Sequence, residues 1–145
     1  MGDPREPKQA IIMRIRYPDG KGGTYKPRTG KLIAQGAHAS MAVFFNQLVE
    51  IGDDCFQLGP DEGWDWRGAV RPWIKGPFAK VVLKAESEEE LLDLTAKAKA
   101  AGLPHALIQD HGRTEFHGVP TLTALAIGPC LPEDIDPITG HLELL

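Results

Sequence analysis

The sequence predicts an α/β domain, a four-stranded mixed sheet with helices packed on its faces. Short apolar, β-branched runs alternate with two longer segments whose apolar residues repeat with a helical period. The elements follow the order β-α-β-α-β-β, and two successive β-α-β units send three strands in the same direction through right-handed crossovers. The last strand follows the third by a ten-residue connection without a helix, so it runs antiparallel to the others.

The first strand is QAIIMRIRY, residues 9–17, apolar and β-branched. Glycines and prolines from Pro18 to Gly30 make a loop. A helix then runs from Thr29, a candidate N-cap, to about Glu50. Residues 51–78 read as an irregular segment, rich in Gly, Pro and acid, that holds all three tryptophans, Trp64, Trp66 and Trp73. These indoles suit either stacking on a nucleic-acid base or covering the core beneath a long loop. AKVVLKA (79–85) is the second strand. The helix SEEELLDLTAKAKAAG opens with a capping box, Ser87 and Glu90, turns Leu91, Leu94, Thr95, Ala98 and Ala101 inward, and stops at Gly102. HALIQD (105–110) and TLTALAIG (121–128) are the third and fourth strands, and the tail from Cys130 makes a short helical turn and an extended end.

With 145 residues, 42% of them hydrophobic and 25% charged, the chain has the size and composition of one soluble globular domain, residues 1–145. It lacks an apolar run of about eighteen residues, and its first residues lack the apolar core of a secretory signal. The two cysteines, Cys55 and Cys130, have no zinc or redox spacing and read as reduced thiols in a cytoplasmic protein. The net charge of −4 is unevenly distributed. Residues 1–85 carry 13 basic and 9 acidic side chains, a balance of +4, and residues 86–145 carry 3 and 11, a balance of −8. The stretch KGGTYKPRTGK (21–31) contains Lys21, Lys26, Arg28 and Lys31 and no acid. A basic loop running into a helix N-terminus suits phosphate contact, and it equally suits a solubilising loop.

The first helix carries an oddity. Lys31, Gln35 and His38 fall within about sixty degrees of one another on a helical wheel. Ile33, Ala37, Met41, Phe44 and Leu48 fall opposite, with the spacing of a buried stripe. A solvated face would account for the polar line, but no acid pairs with Lys31 at helical spacing, and a cation in the first turn opposes the helix dipole. Ligands of open α/β sheets gather at the carboxyl ends of the parallel strands. The loop before this helix, its first turns and the end of the third strand share that edge, so Lys31, Gln35 and His38 point toward Asp110, Arg113 and Thr114. This group of residue types suits polar hydrolysis with a positioned water, a general base and an oxyanion donor, or binding alone. The chain has no GxSxG, Walker A or GxGxxG motif, and His38, His105, His111, His117 and His141 show no metal-ligand spacing. Neither a metal nor a cofactor is expected.

GKLIAQGAHA (30–39), KVVLKA (80–85), LIQDHGRTEF (107–116), LAIGP (125–129) and ITGHLELL (138–145), in this order, resemble the type 2 peptidyl-tRNA hydrolase family. The resemblance is collinear and spans residues 9–145. It implies a three-layer α/β/α domain around a four-stranded mixed sheet whose last strand is antiparallel. It also implies hydrolysis of the ester joining a peptide, or an N-blocked amino acid, to the 3′ end of tRNA, with tRNA as partner and a homodimer as assembly. Carried over by motif, the catalytic positions are Lys31, Gln35, His38, Asp110 and Thr123, with Thr121 a rival if the register slips by two. Arg113 and Thr114 follow as substrate contacts, joined by Lys26 and Arg28 from the basic loop. For His38 a structural hydrogen bond and a catalytic role both stay open. A non-catalytic tRNA- or nucleotide-binding module on the same fold is the competing reading, as is a small hydrolase of simpler esters.

Overall fold

The computed structural model describes residues 6–59, 63–111 and 118–145. Its central sheet holds β1 (Lys8–Arg14), β6 (Lys80–Ala85), β7 (His105–Asp110) and β8 (Thr121–Cys130) in the spatial order β6-β1-β8-β7. β1 and β6 pair in parallel, while β8 lies between β1 and β7 and is antiparallel to both. β1, β6 and β7 therefore run the same way and only the last strand is reversed, as the element order predicts. β8 is buried over nearly its whole length because a central strand has neighbours on both edges and layers on both faces.

Alternation along β1 feeds two cores. Ala10 and Ile12 face α3 (Glu88–Ala100) and α4 (Pro132–Thr139) and pack with Leu91, Leu94, Ile135 and Ile138. Ile11 and Met13 face α1 (Thr29–Phe45) and pack with Ala39 and Val43. α1 on one face and α3 with α4 on the other give the three-layer arrangement. α3 begins as expected: Ser87 Oγ accepts from Glu90 N at 3.2 Å, while the Glu90 carboxylate accepts from Glu86 N rather than closing the box on Ser87. Gly102 takes a φ of +70° after the last turn, the left-handed conformation that suits glycine.

Several expectations change. α1 ends at Phe45, not near Glu50, because Leu48–Gly52 (β4) turns back on Cys55–Leu58 (β5) as a hairpin. Arg28, not Thr29, is the N-cap residue, and no side chain caps the helix. The loop after β1 contains a small ribbon, β2 (Tyr17–Pro18) with β3 (Thr24–Tyr25). The segment 51–78 is more ordered than its composition suggests. Besides the hairpin it holds a π-helical turn, Trp66–Val70, running into α2 (Arg71–Lys75). Trp73 is buried there, donates from Nε1 to Ala79 O at 2.8 Å and stacks on Phe44, so it covers the core. The tail folds back along the outer edge of β6, with Leu144 bridging Leu83 and Leu145 N donating to Val82 O.

The largest correction concerns the faces of α1. Its buried residues are Gln35, Gly36, Ala39 and Val43, whereas Ile33 is 68% and Met41 51% exposed. The polar line turns partly inward, and Ile33, Ala37 and Met41 of the apolar stripe turn outward, while Phe44 stays half-buried against the core. Gly36 lies close over β1: a Cβ there would be in ordinary van der Waals contact with Met13 Sδ at 3.4 Å and Ile11 Cγ2 at 3.6 Å.

Candidate active site

Lys31 and Gln35, one turn apart on α1, both reach the end of β7. Lys31 Nζ lies 2.7 Å from Asp110 Oδ2, and Gln35 Nε2 donates to the same oxygen at 2.8 Å. On its other side the Gln35 carbonyl Oε1 accepts from the Thr123 hydroxyl at 2.8 Å. The chain Lys31–Asp110–Gln35–Thr123 thus joins α1 to two strands. Little of it is open to water: the Lys31 and Asp110 side chains are 13% and 12% exposed, and Gln35 and Thr123 are buried.

Asp110 resolves the sequence oddity. A lysine in the first turn of a helix is opposed by the dipole, but a carboxylate beside that turn is favoured, and it neutralises the ammonium as well. The acid absent from helical spacing comes from the sheet. The ion pair is short and its geometry is fixed by a third group, so it differs from a mobile surface bridge. Gln35 fixes its own orientation: the hydroxyl of Thr123 needs an acceptor and the Asp110 carboxylate needs a donor, so Oε1 and Nε2 have one arrangement each.

A β-bulge delivers Thr123. Along β7 and β8, Ile108 pairs with Ala124 but Gln109 pairs with Leu122, which leaves Thr123 as an extra residue. The bulge lets Thr123 reach Gln35 on the face where Ala124 packs against α1, whereas strict alternation would send it to the other face. Thr121, the rival, donates instead to Val119 O at 2.8 Å and stays outside the cluster.

The other expected residues divide. His38 is exposed, one turn beyond Gln35, and among the described residues no hydrogen bond or ion pair joins it to the cluster. Lys26 and Arg28 are exposed on the approach to α1. Arg113 and Thr114 lie outside the described residues. Sequence reading does not single out Arg14, which closes β1 and is buried; its one signal is a cation directly after the apolar run AIIM. Among the described residues, no group of three or more His, Cys, Asp or Glu is placed to hold a metal ion. A more apolar groove, lined by Met41, Phe44, Phe45, Trp73, Ile74 and Phe78, lies toward the far end of α1. Its polar lining residues are Ser40 and Lys80.

A family model described as peptidyl-tRNA hydrolase PTH2 matches residues 8–145. The chain belongs to this peptidyl-tRNA hydrolase family. Relatives named peptidyl-tRNA hydrolase include one from Methanocaldococcus jannaschii, 42% identical over 116 residues, which cover 80% of this chain and 87% of the relative. The Methanopyrus kandleri relative is 39% identical over 138 residues, 95% of this chain and 97% of its own length. One from Halobacterium salinarum is 45% identical over 116 residues, 79% and 86% of the two chains. The matched region of this PTH2 family member includes the whole Lys31–Asp110–Gln35–Thr123 chain.

Proposed function

We infer that the Lys31–Asp110–Gln35–Thr123 cluster is the active centre of this peptidyl-tRNA hydrolase. The enzyme cleaves the ester between a peptide, or an N-blocked amino acid, and the 3′ end of tRNA, and so returns tRNA to translation. Water supplies its oxygen and one hydrogen to the acyl group, the bond from the carbonyl carbon to the ribose oxygen breaks, and the second proton ends on that oxygen. One observation supports placing the chemistry here: Lys31 Nζ and Gln35 Nε2 converge on a single oxygen of Asp110 within 2.8 Å, on a site largely sheltered from water.

The roles follow from the bonding. Among the described residues the Lys31 ammonium is the cation of the cluster, and it suits the oxyanion that forms when water adds to the ester carbonyl. Asp110 holds the ammonium and the Gln35 amide, orients the attacking water and receives its proton in passing. Thr123 gives its hydroxyl hydrogen to Gln35, and its oxygen keeps lone pairs to accept from the water or a ribose hydroxyl. His38, exposed beside this set, serves substrate positioning rather than the bond-breaking step. Lys26 and Arg28 contact tRNA phosphates, with Arg113 and Thr114 as further substrate contacts.

The protein acts in the cytoplasm, where its two cysteines remain thiols. Among the described residues, no helix is long and apolar enough to cross a membrane. The assembly is a homodimer, supported by the outward apolar stripe of α1, where Ile33, Met41 and Phe45 are each more than half exposed. Light scattering of the purified protein tests that assembly.

Release of free tRNA from N-acetyl-aminoacyl-tRNA tests the centre. Wild type cleaves, and Lys31→Ala and Asp110→Ala each lose activity by orders of magnitude while remaining folded. Full activity in either variant removes that residue from the centre.

A further inference from the structure

We propose that Arg14 is a positioning residue for hydrolysis, acting through the bulge that presents Thr123. The proposal rests on the role of Thr123 given above. Arg14 ends β1 on the face away from α1, and its side chain is buried. A buried guanidinium is costly unless its donors are used, and no carboxylate among the described residues pairs with it. Its partners are backbone carbonyls: Nε donates to Arg16 O at 3.0 Å and Nη1 to Leu122 O at 3.2 Å. The guanidinium carbon also lies 4.4 Å from the centroid of the Tyr17 ring, a cation–π contact with a buried tyrosine.

The Leu122 carbonyl is half of the peptide unit that supplies the Thr123 nitrogen. The β1–β8 ladder ends at Met13 paired with Ala124, one residue short of the bulge. At the point where strand pairing by β1 stops, Arg14 reaches across with a charged donor and fixes the plane of that peptide. A bulged residue is the part of a ladder least constrained by its neighbours. Holding its leading peptide from behind sets the direction of the Thr123 hydroxyl, and through Gln35 Oε1 the direction of the amide that meets Asp110. The Tyr17 ring, itself 5.8 Å from Tyr25, ties the same guanidinium to the base of the basic ribbon.

The test is a double-mutant cycle of Arg14→Gln and Thr123→Val in the tRNA-release assay, with the folded fraction of each variant measured by circular dichroism and kcat expressed per folded molecule. Misplacing a reacting group by a fraction of an ångström lowers kcat roughly ten- to hundred-fold. The expectation is a loss of that size for Arg14→Gln with KM within about two-fold, partial recovery in Arg14→Lys, and no additional loss from Arg14→Gln once Thr123 is valine. Losses that multiply in the double variant overturn the proposal, since Arg14 then acts independently of Thr123. An unchanged kcat per folded molecule in Arg14→Gln, with Thr123→Val impaired, also overturns it and leaves the role of Thr123 standing. Full activity in Thr123→Val overturns the reading on which the proposal rests, and the proposal with it. Should Arg14→Gln fail to fold, Arg14→Lys carries the same cycle, with a smaller kcat loss expected and the same outcomes deciding.

Discussion

Replacing Asp110 by asparagine removes one charge and almost no volume, so it separates electrostatics from shape. Asparagine can still turn its Oδ1 toward Lys31 Nζ and Gln35 Nε2, which keeps both hydrogen bonds, now 2.7 and 2.8 Å long, close to their present geometry. What is lost is the counter-charge of a lysine whose side chain is only 13% exposed. At that separation the gross Coulomb attraction is about 6 kcal/mol with an effective dielectric constant of about 20. Desolvation offsets much of it, and stranding one partner of a fully buried pair costs about 3–5 kcal/mol. The residual exposure of both side chains lowers this to about 2–4 kcal/mol. For a chain of this length that shifts the melting temperature down by roughly 6–12 °C, at about 3 °C per kcal/mol. The loss persists between 0.1 and about 1 M salt, because a sheltered pair is poorly screened. In the tRNA-release assay kcat falls by about two orders of magnitude or more with little change in KM, since an asparagine still holds the ammonium and the amide but cannot receive the proton of the attacking water. An Asp110→Asn variant that melts within about 1 °C of wild type and keeps kcat within about three-fold would refute both the energetic and the catalytic argument.

Other outcomes follow from particular contacts. His38→Ala leaves kcat within a few-fold, because its exposed ring is bonded to no member of the cluster; steady-state kinetics checks it. Neutralising Lys26 and Arg28 together raises KM at low salt and flattens its salt dependence by about two phosphate contacts, with kcat retained. Gly128→Ala is strongly destabilising, by about 3 kcal/mol or more. Its φ is +102° and the new Cβ would sit 2.6 Å from Lys8 O, which urea denaturation will register. Burial, with a further push from Asp134, raises the Cys130 thiol from 9.0 to about 12. The folded state therefore holds a proton that the unfolded chain has lost, so stability is unaffected below about pH 9 and falls as pH rises toward about 12. Cys130→Ala lacks that decline. At pH 8 a thiol reagent labels exposed Cys55 and spares Cys130.

The strands and their directions were legible because each strand is a short apolar run bounded by clear punctuation, and β-α-β crossovers leave few arrangements. HALIQD coincides with β7 residue for residue. The hairpin Leu48–Gly52/Cys55–Leu58 was not legible: Leu48 continues the helical period of α1, and its β character depends on pairing with Leu58, which no local pattern announces. The polar line on α1 was visible, but not which way it faces. A helical wheel ranks faces by hydropathy and assumes that the apolar side goes inward. Here the inward side is fixed by what the sheet offers. β1 and β8 present small and apolar groups that accept Gly36, Ala39 and Val43, and the ends of β7 and β8 present Asp110 and Thr123, which accept Lys31 and Gln35. Two hydrogen bonds and an ion pair from the sheet offset the burial of a lysine and a glutamine, and the helix turns accordingly.

The cost of that rotation is an outward stripe of Ile33, Met41 and Phe45, apolar area that a free-standing helix surface would not select. Hydropathy along the chain cannot anticipate such an inversion, because the compensating partners lie 79 residues away for Lys31 and 88 for Gln35. The inversion fits the proposed role of the cluster. A helix that only stabilised the fold would bury Ile33 and Met41 and leave Lys31 in water. One that gives up that burial to hold an ammonium, an amide, a carboxylate and a hydroxyl in a single chain of bonds has the polar concentration that the proposed centre requires.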